Sequence, residues 1–254
     1  MRIMKTVLII QARLQSSRLP GKVLLPLRDR PMLEWVIERA SRSRCIDTCM
    51  VATTTDPADD PIEAWCRSKD VPVYRGSQFD VLDRYYQAAV SAEADVIIRV
   101  TADCPLIDAA LIDELFAFFR KEDADFAANR LPPPWHRTYP IGLDAEIVSM
   151  PMLKKAWETA SEKYEREHVM PWFYDTPGRC RVSILDNPVD YGQHRWTVDT
   201  PEDYAMMQAL FEKLDDPETV SWTEILKVIE ADPSLEMINA ASKAKDVKVI
   251  DTRS

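Results

Sequence analysis

The sequence contains little glycine and no long apolar run near its start. Only five of its 254 residues are glycine, so we expect each glycine to occupy a special turn. The first apolar run, Val7 to Ile10, is too short for the hydrophobic region of a signal peptide or for a membrane span. We therefore expect a cytoplasmic protein that does not enter a membrane.

The sequence also lacks an excess of basic residues and a zinc-binding cysteine pattern. A net charge of −10 and a pI near 4.9 argue against general nucleic-acid binding, which requires a basic face. Cys45 and Cys49 are separated by three residues, but no second pair among the five cysteines completes a zinc site. We expect buried, reduced thiols.

Strand-like and helix-like segments alternate through the first half of the chain. Apolar runs predict strands at 6–12, 48–54, 71–76 and 95–103, and helical spacing predicts helices at 32–43, 60–68, 79–92 and 107–121. This alternation is typical of a parallel sheet covered by helices on both faces. The second half is less regular, with predicted strands at 124–130, 143–150 and 180–186 and predicted helices at 151–160, 165–174, 201–214 and 222–232.

A basic loop follows the first predicted strand, in the stretch IIQARLQSSRLPGKVL (residues 9–24). It has neither the glycine pattern of a P-loop nor that of a dinucleotide-binding turn. The hydroxyls of Ser16 and Ser17 and the backbone N–H groups of the loop suit phosphates, and three cations can neutralise a triphosphate. These cations are Arg13, Arg18 and Lys22. The alternative is a solvated loop whose cations point into water.

Two acids follow predicted strands and are candidates for a metal site. Asp103 comes directly after the fourth strand, and Asp199 precedes the helix that opens at Pro201. Ligands of open parallel sheets bind outside the carboxyl ends of the strands, and a carboxylate beside a triphosphate suits a bridging Mg²⁺. The alternative role for Asp199 is that of a helix cap. Thr200 can take that role equally well, which would leave Asp199 free.

Five motifs in order carry a resemblance to a known family, from about residue 5 to about residue 214. They are IIQARLQSSRLPGKVL, VTADCPLID, RTYPIGLDAEI, EREHV and RWTVDTPEDY. Together they resemble the cytidylyltransferase superfamily of activated sugar-acid synthesis, which includes the CMP-sialic acid and CMP-Kdo synthetases. The resemblance is strongest to the branch called spore coat polysaccharide biosynthesis protein F. Sialic acid synthetases have Gly-Gly-Ser where this chain has Leu14, Gln15 and Ser16.

The resemblance implies an α/β fold of the Rossmann-like, three-layer nucleotidyltransferase type, with a mixed, mainly parallel central sheet. It implies one such domain over residues 1–235, with an irregular segment at 129–150 for dimerisation or substrate binding, and leaves a polar C-terminal tail at 236–254. The implied protein is a homodimer. The implied reaction transfers CMP from CTP to a hydroxyl of a sugar or sugar acid, releases pyrophosphate and requires Mg²⁺. Surface or spore-coat polysaccharide biosynthesis is the implied setting.

The resemblance also assigns roles to individual residues. Catalysis is assigned to Arg13, Arg18, Lys22 and Asp103, and Mg²⁺ binding to Asp103 and Asp199. Nucleotide binding is assigned to Ala12, Arg13, Ser16, Ser17, Arg18, Lys22, Arg75, Gly76, Ser77 and Thr101.

The sugar-binding candidates lie in RTYPIGLDAEI and EREHV and are Arg137, Tyr139, Asp144, Glu146 and His168. Arg137 is suited to a carboxylate, and Asp144 or Glu146 to sugar hydroxyls, whereas the alternative for this stretch is a dimer-forming loop. His168 contacts substrate or has a structural role. We interpret Trp196 as a core residue. Cys104 has no partnered base in the sequence, so we interpret it as an inert thiol.

The sequence leaves two other functions open. A glycosyltransferase that uses a nucleotide-sugar donor would share the fold, but it usually carries an Asp-x-Asp pair after the fourth strand. Here that position reads Asp103-Cys104-Pro105. A non-catalytic nucleotide-binding partner is the second alternative, and the intact set of cations and acids argues against it.

Overall fold

The computed structural model describes residues 4–131 and 137–243. The strands in these ranges are β1 (Thr6–Gln11), β2 (Pro26–Leu27), β3 (Arg30–Pro31), β4 (Thr48–Thr54), β5 (Val73–Gly76), β6 (Val96–Thr101), β7 (Phe126–Ala128), β8 (Glu146–Ser149) and β9 (Val182–Ile184). The helices are α1 (Met32–Ser41), α2 (Asp60–Ser68), α3 (Val81–Ser91), α4 (Ala109–Lys121), α5 (Met150–Thr159), α6 (Lys163–His168), α7 (Pro171–Tyr174), α8 (Pro201–Lys213), α9 (Trp222–Ala231) and α10 (Ser234–Met237). Short 3₁₀ helices span Lys22–Leu24 and Pro57–Asp59.

The central sheet has the strand order β5-β4-β1-β6-β8-β7-β9. Strands β5, β4, β1 and β6 are parallel, with Ile10 of β1 opposite Val51 of β4 and Val100 of β6. Strand β8 is antiparallel to both of its neighbours, β6 and β7, and β9 is parallel to β7. The sheet is therefore mixed and mainly parallel, which confirms the predicted fold class.

The central strands are mainly apolar because both faces of the sheet are buried. In β1, Leu8 and Ile10 face one core, which α1, α4, α8 and α9 complete. Val7 and Ile9 face the opposite core, which α3, α5 and α7 complete. The result is a helix–sheet–helix arrangement in three layers, and it places the carboxyl ends of β1 and β6 side by side at one edge.

The structure corrects one predicted element and adds another. The predicted helix at 165–174 is wrong, because the chain forms two helices, α6 and α7, on either side of Val169. Val169 has a φ of 68°, and Pro171, which opens α7, has no N–H to donate to the preceding turn. The hairpin of β2 and β3 was not predicted from the sequence, since its strands have only two residues each.

The C-terminal part of the described chain packs against the fold. After α9, Leu235 of α10 is buried in the first core, and Asn239 is 4% exposed. Residues 236–243 of the predicted polar tail therefore contact the domain, while 244–254 lie outside the described residues. Residues 132–136 of the predicted dimerisation or substrate segment also lie outside them. Among the described helices, none combines the length and the apolar character that crossing a bilayer requires.

Candidate active site

The basic loop folds back on itself after β1. The backbone N–H of Gly21 donates to the carbonyl of Leu14 at 2.8 Å, which closes the loop. Gly21 has a φ of +73°, a left-handed conformation that glycine adopts without a steric cost. The 3₁₀ helix that carries Lys22 begins at this turn, so the turn directs Lys22 toward the ends of the neighbouring strands.

Lys22 is the buried centre of the site, with 8% of its surface exposed. Its ammonium donates to Asp103 Oδ2 at 2.6 Å, to Asp199 Oδ1 at 2.9 Å and to the carbonyl of Val198 at 2.9 Å. These three acceptors match the three N–H donors of an ammonium group. Burial alone would lower the pKa of Lys22, but the negative charges of Asp103 and Asp199 outweigh burial and raise it.

Asp103 is held where the chain leaves β6. Its Oδ1 accepts a hydrogen bond from Thr101 Oγ1 at 2.5 Å. Its backbone carbonyl accepts from the N–H of Val198 at 2.9 Å and from Thr197 Oγ1 at 3.2 Å, which fastens the end of β6 to the segment before α8. Burial would raise the pKa of the Asp103 carboxyl, but the Lys22 ammonium lowers it below its ordinary value. Asp103 is therefore ionised at neutral pH.

Asp199 receives cations from three directions. Besides Lys22, its Oδ2 lies 3.0 Å from Arg18 Nη2 and 3.0 Å from Arg195 Nη2. The N-cap of α8 is Thr200, which forms a reciprocal capping box with Asp203. Of the two caps that the sequence leaves open, Thr200 is the one observed, so Asp199 does not cap α8. Arg18 and Lys22 come from the basic loop, so the loop and both acids meet at one position.

Arg195 and Asp203 form a buried ion pair behind Asp199. Arg195 Nε lies 2.9 Å from Asp203 Oδ1, and Arg195 Nη2 lies 2.9 Å from Asp203 Oδ2. Asn239 donates to Asp203 Oδ1 at 3.0 Å. Sequence reasoning did not single out these three residues. Arg195 and Asp203 lie in the quoted stretch around Asp199, each four positions away from it, whereas no local pattern points to Asn239.

The two acids fit a divalent cation. Both carboxylates contact the same Lys22 ammonium, so they converge on one position that already holds positive charge. Mg²⁺ is commonly bound by one or two protein carboxylates, with substrate phosphates and waters as its other ligands. Within residues 4–131 and 137–243, no group of three or more histidine, cysteine, aspartate or glutamate side chains is suited to a metal. Asp103 and Asp199 would therefore need ligands from the nucleotide or from water.

The contacts recorded for Ala12 and Ser16, two other predicted residues of the basic loop, do not involve the Lys22 centre. The backbone N–H of Ala12 donates to the Ala52 carbonyl at 3.2 Å. Ser16 Oγ accepts from the backbone N–H of Leu19 at 3.4 Å. Ser17 is exposed and Arg13 is partly exposed. No contact in the structure assigns these residues a ligand, so their nucleotide-binding role stays a prediction.

The Arg75 guanidinium is held by acceptors on α2 and on the chain that leads into it. Its guanidinium contacts the carbonyls of Thr54 and Asp56 at 2.8 and 3.0 Å, and the carboxylates of Asp60 and Glu63 at 2.7 and 2.6 Å. These acceptors belong to the end of β4, to the segment after it and to α2, and none belongs to the Lys22 centre. The structure therefore does not bring the Arg75 guanidinium together with that centre.

Gly76 and Ser77 lie against the buried side chain of Arg84. A Cβ at Gly76 would come within 2.9 Å of Arg84 Cγ, so glycine allows the close approach. Arg84 Nη1 donates to the Ser77 carbonyl at 2.6 Å, while its Nε and Nη2 have no hydrogen-bond partner among the described residues. Burial lowers the pKa of Arg84 to about 10. Arg84 is not among the site residues predicted from the sequence.

An arginine cluster forms the other side of the same sheet edge. We give this name to Arg99, Arg130, Arg137, Asp144 and Glu146. The Arg137 guanidinium holds Asp144 with two hydrogen bonds, of 2.8 and 3.1 Å, and Arg130 Nε lies 3.1 Å from Asp144. Arg99 pairs with Glu146. Burial would raise the pKa of Asp144, but Arg130 and Arg137 lower it. The cluster thus has three cations and two anions.

Two further sugar-binding candidates occupy different surroundings. Tyr139 is 2% exposed and packs edge-on against Trp222, with 5.7 Å between ring centroids, and burial raises its pKa to about 12. His168, at the end of α6, has no partner for Nε2 among the described residues. Burial lowers the pKa of His168, and the nearby positive charges of Arg99 and Arg13 lower it further. Tyr139 therefore lies in the core, whereas His168 lies near the cluster.

Two structural interpretations from the sequence are confirmed. Cys66 and Cys104 are buried free thiols, whereas Cys45, Cys49 and Cys180 are half-buried, so the expectation of buried thiols holds only in part. Burial raises the pKa of Cys104 well above its ordinary value. Cys104 is therefore a protonated, inert thiol beside Asp103 rather than a nucleophile. Trp196 is fully buried and belongs to the core, as predicted.

Known proteins resemble this chain in sequence over most of its length. A family model described as cytidylyltransferase matches residues 7–243. The spore coat polysaccharide biosynthesis protein SpsF of Bacillus subtilis is 32% identical over 232 residues, which cover 89% of this chain and 94% of SpsF. An 8-amino-3,8-dideoxy-manno-octulosonate cytidylyltransferase of Shewanella frigidimarina is 33% identical over 126 residues, covering 48% of this chain and 51% of that protein.

A solved structure is also similar over nearly the whole chain. The cytidylyltransferase from Leptospira borgpetersenii serovar Hardjo-bovis is 32% identical, with a TM-score of 0.87, and the match covers 96% of this chain and 100% of that one. Sequence and fold therefore agree along both chains. On this evidence the chain belongs to the cytidylyltransferase family of nucleotidyltransferases.

Proposed function

We propose that this protein transfers CMP from CTP to a hydroxyl of a sugar acid and releases pyrophosphate. The observation that carries the proposal is the meeting of Lys22 and Arg18 with Asp103 and Asp199 at the carboxyl edge of β1 and β6. Cations that suit phosphates and acids that suit a metal ion occur there together. A nucleoside triphosphate that loses pyrophosphate requires both.

The proposed chemistry consists of one substitution at phosphorus. The acceptor hydroxyl oxygen forms a bond to the α-phosphorus of CTP, and the bond from that phosphorus to the oxygen that bridges to the β-phosphate breaks. The hydroxyl proton leaves to water, and the electron pair departs with pyrophosphate. Such reactions depend on in-line positioning and on stabilisation of the developing charge.

Each group of the basic loop and of the acid pair has a role in this reaction. Arg13, Arg18 and Lys22 would neutralise the triphosphate and the departing pyrophosphate. Asp103 and Asp199 would hold Mg²⁺, which when bound supplies Lewis-acid polarisation of the phosphoryl oxygens. Because Lys22 contacts both acids, its ammonium would have to share or leave that position when the metal and the nucleotide bind.

The acceptor side of the proposal rests on the charge of the arginine cluster. Its three arginines exceed its two acids by one positive charge, and His168 lies near it. A net positive cluster favours an anionic acceptor, and a sugar carboxylate supplies such a charge. The names of the two relatives also support a sugar acid and a role in polysaccharide biosynthesis. A homodimer, formed through residues 129–142, and a cytoplasmic location belong to the same proposal.

A pyrophosphate-release screen tests the proposed function. It combines each of the four nucleoside triphosphates and Mg²⁺ with a panel of sugar acids, and neutral sugars of the same ring size serve as matched controls. We expect release with CTP and at least one sugar acid, and none with the matched neutral sugar. Pyrophosphate release only with a nucleotide other than CTP would contradict the proposed nucleotide. Equal rates of release with sugar acids and neutral sugars would contradict the proposed acceptor.

A further inference from the structure

The C-terminal segment, residues 234–243, packs onto the network that surrounds Asp199. It begins with α10, whose side chain Glu236 lies 2.7 Å from His194 Nδ1. Asn239 then enters the interior, and Ser242 Oγ lies 2.9 Å from Thr200 Oγ1 at the N-cap of α8. The segment comes from the far end of the sequence, yet three of its residues contact the short stretch from 194 to 203.

Asn239 makes the most buried of these contacts. Its Nδ2 donates to Asp203 Oδ1 at 3.0 Å and to the backbone carbonyl of Arg195 at 3.1 Å. Asp203 is fully buried. A buried amide is stable only when it is hydrogen-bonded, and here both donors of the amide group are used. Asn239 thereby joins the side chain of one member of the buried ion pair to the backbone of the other.

The ion pair in turn fixes Asp199. Arg195 Nη2 contacts the Asp199 carboxylate at 3.0 Å, and Asp203 Oδ2 accepts from the backbone N–H of Asp199 at 3.1 Å. The backbone and the carboxylate of Asp199 are therefore both held by the pair that Asn239 contacts. A shift of Asp203 or of Arg195 would move the Asp199 oxygens away from the position that they share with Asp103.

The same segment also reaches the basic loop. Arg18 Nη1 donates to the backbone carbonyl of Lys243 at 2.8 Å, while Arg18 Nη2 contacts Asp199. The C-terminal segment thus contacts the surroundings of Asp199 on two sides. One contact acts through Arg195 and Asp203, and the other acts through Arg18.

We propose that Asn239 is a positioning residue that holds the Asp199 carboxylate in its metal-binding orientation through Arg195 and Asp203. The inference rests on the proposed function in that it takes Asp199 to be a metal ligand. Residues that orient a metal ligand from behind typically change metal affinity or activity by about 10- to 100-fold when they are replaced. The residues 234–243 are then part of the catalytic unit rather than a dispensable tail.

The test compares Asn239→Ala and Asn239→Leu with Met237→Ala in the full-length chain. The leucine variant keeps a side chain of similar volume without hydrogen bonds, and Met237 is an exposed residue of the same segment, so its variant controls for nonspecific loosening. Two quantities are measured. One is the split between kcat and the KM for CTP, and the other is the affinity for Mn²⁺ alone by electron paramagnetic resonance.

We expect both Asn239 variants to lower kcat and to weaken Mn²⁺ binding by about tenfold or more. The KM for CTP should change by less than about threefold, because the side chain of Asn239 contacts Arg195 and Asp203 rather than the basic loop. Met237→Ala should match the wild type. Wild-type kcat and Mn²⁺ affinity in either folded Asn239 variant would overturn the proposal, as would an equal loss in Met237→Ala.

The Mn²⁺ measurement separates this inference from the proposed function. If the wild type transfers CMP to no acceptor but binds Mn²⁺, a loss of that binding in Asn239→Leu still supports the positioning role. If the wild type binds no Mn²⁺ and Asn239→Leu has wild-type kcat, the positioning role is overturned. If the alanine variant does not fold, the leucine variant decides, and circular dichroism shows which of the two is folded.

Discussion

Lys22 and Asp103 lie 81 positions apart in the sequence, yet 2.6 Å separates the Lys22 ammonium from an oxygen of the Asp103 carboxylate. The contact joins the loop after β1 to the end of β6. Asp199, which directly precedes the N-cap of α8, contacts the same ammonium. The carboxylates of Asp103 and Asp199 both lie within hydrogen-bond distance of the Lys22 ammonium. Two such carboxylates would repel each other, and the positive charge of Lys22 offsets that repulsion. Lys22 is thus a counter-ion that both acids share.

The acids themselves are the first test. We expect Asp103→Asn and Asp199→Asn each to abolish measurable turnover while the fold remains, since losing a metal-binding carboxylate costs on the order of several kcal/mol of transition-state stabilisation. Pyrophosphate release is the measurement, and circular dichroism checks the fold. Asp113→Asn is the matched control, because Asp113 pairs with Arg44 on another part of the surface. Full activity in either site variant would show that its acid is not required.

Metal removal should stop the reaction reversibly. We expect excess EDTA to reduce pyrophosphate release to background, and excess Mg²⁺ to restore it, since Asp103 and Asp199 have no metal-independent role in the proposed chemistry. The control is CTP binding measured with and without EDTA, which reports whether the nucleotide site remains intact. Turnover that persists in EDTA would refute Mg²⁺ dependence.

Replacing Lys22 should destabilise the fold within a defined pH range. Lys22→Met removes the charge that Asp103 and Asp199 share, although Asp199 keeps its contacts with Arg18 and Arg195, so we expect the free energy of unfolding to fall by about 1–3 kcal/mol at pH 7. The folded-state pKa of Asp103 is lowered, so its contribution is present above the unfolded value of about 4 and is lost as the pH falls through the folded value. The folded-state pKa of Lys22 is raised, so its contribution is present below about 10.4 and is lost as the pH rises through the folded value.

Chemical denaturation across pH measures this effect. The difference between the wild type and Lys22→Met should be constant from about pH 5 to pH 10 and shrink outside that range. The matched control is the double variant Lys22→Met with Asp103→Asn, which removes both partners and should recover part of the lost stability. A difference that does not depend on pH would show that packing, rather than charge, explains the loss.

Arg18 should distinguish between nucleotides by their phosphates. If it contacts the β- or γ-phosphate, Arg18→Ala should weaken CTP binding by about 1.5–3 kcal/mol and barely change CMP binding, since CMP has neither phosphate. Isothermal titration with both ligands measures this, and Arg44→Ala, whose side chain is 90% exposed, is the control. Equal weakening for CTP and CMP would place Arg18 elsewhere, and no weakening for CTP would favour a solvated loop.

The oligomeric state tests the irregular segment at 129–142. This stretch is rich in proline and aromatic residues, and we expect it to form a two-fold interface between copies of the chain. Light scattering at micromolar concentration should give the mass of a dimer, twice 29.1 kDa. A monomeric mass that persists as the concentration is raised would refute this prediction.

The sequence predicts the central elements well because their patterns are local. The strand at 48–54 and the helix at 60–68 have the bounds of β4 and α2, since apolar runs and helical spacing extend over the whole of each element. The hairpin of β2 and β3 has no such pattern, because two residues are too few for periodicity. Periodicity does not mark the break at Val169 either; its local signal is Pro171, which cannot donate a hydrogen bond to the preceding turn.

The candidate site is also predictable only in part. Asp103 and Asp199 are predictable because each follows a recognisable strand or precedes a recognisable helix. That Lys22 lies between them is not predictable, since its three hydrogen bonds join segments separated by 81 or more positions. The role of Asn239 is equally hidden, because a single asparagine in a polar stretch has the same local sequence whether it is buried or solvated.

Because β8 runs against β6 and β7, the chain leaves β7 and enters β8 at the same sheet edge where β1 and β6 end. The connection is closed by an isolated bridge between Arg130 and Arg137, and its described residues, 129–131 and 137–145, form no helix. The bridge holds the two ends of this connection together, so a change in its length need not alter the register of β1, β4 and β6. Under the proposed function, acceptor choice can therefore diverge at the arginine cluster while the strands that carry the basic loop and Asp103 stay in place.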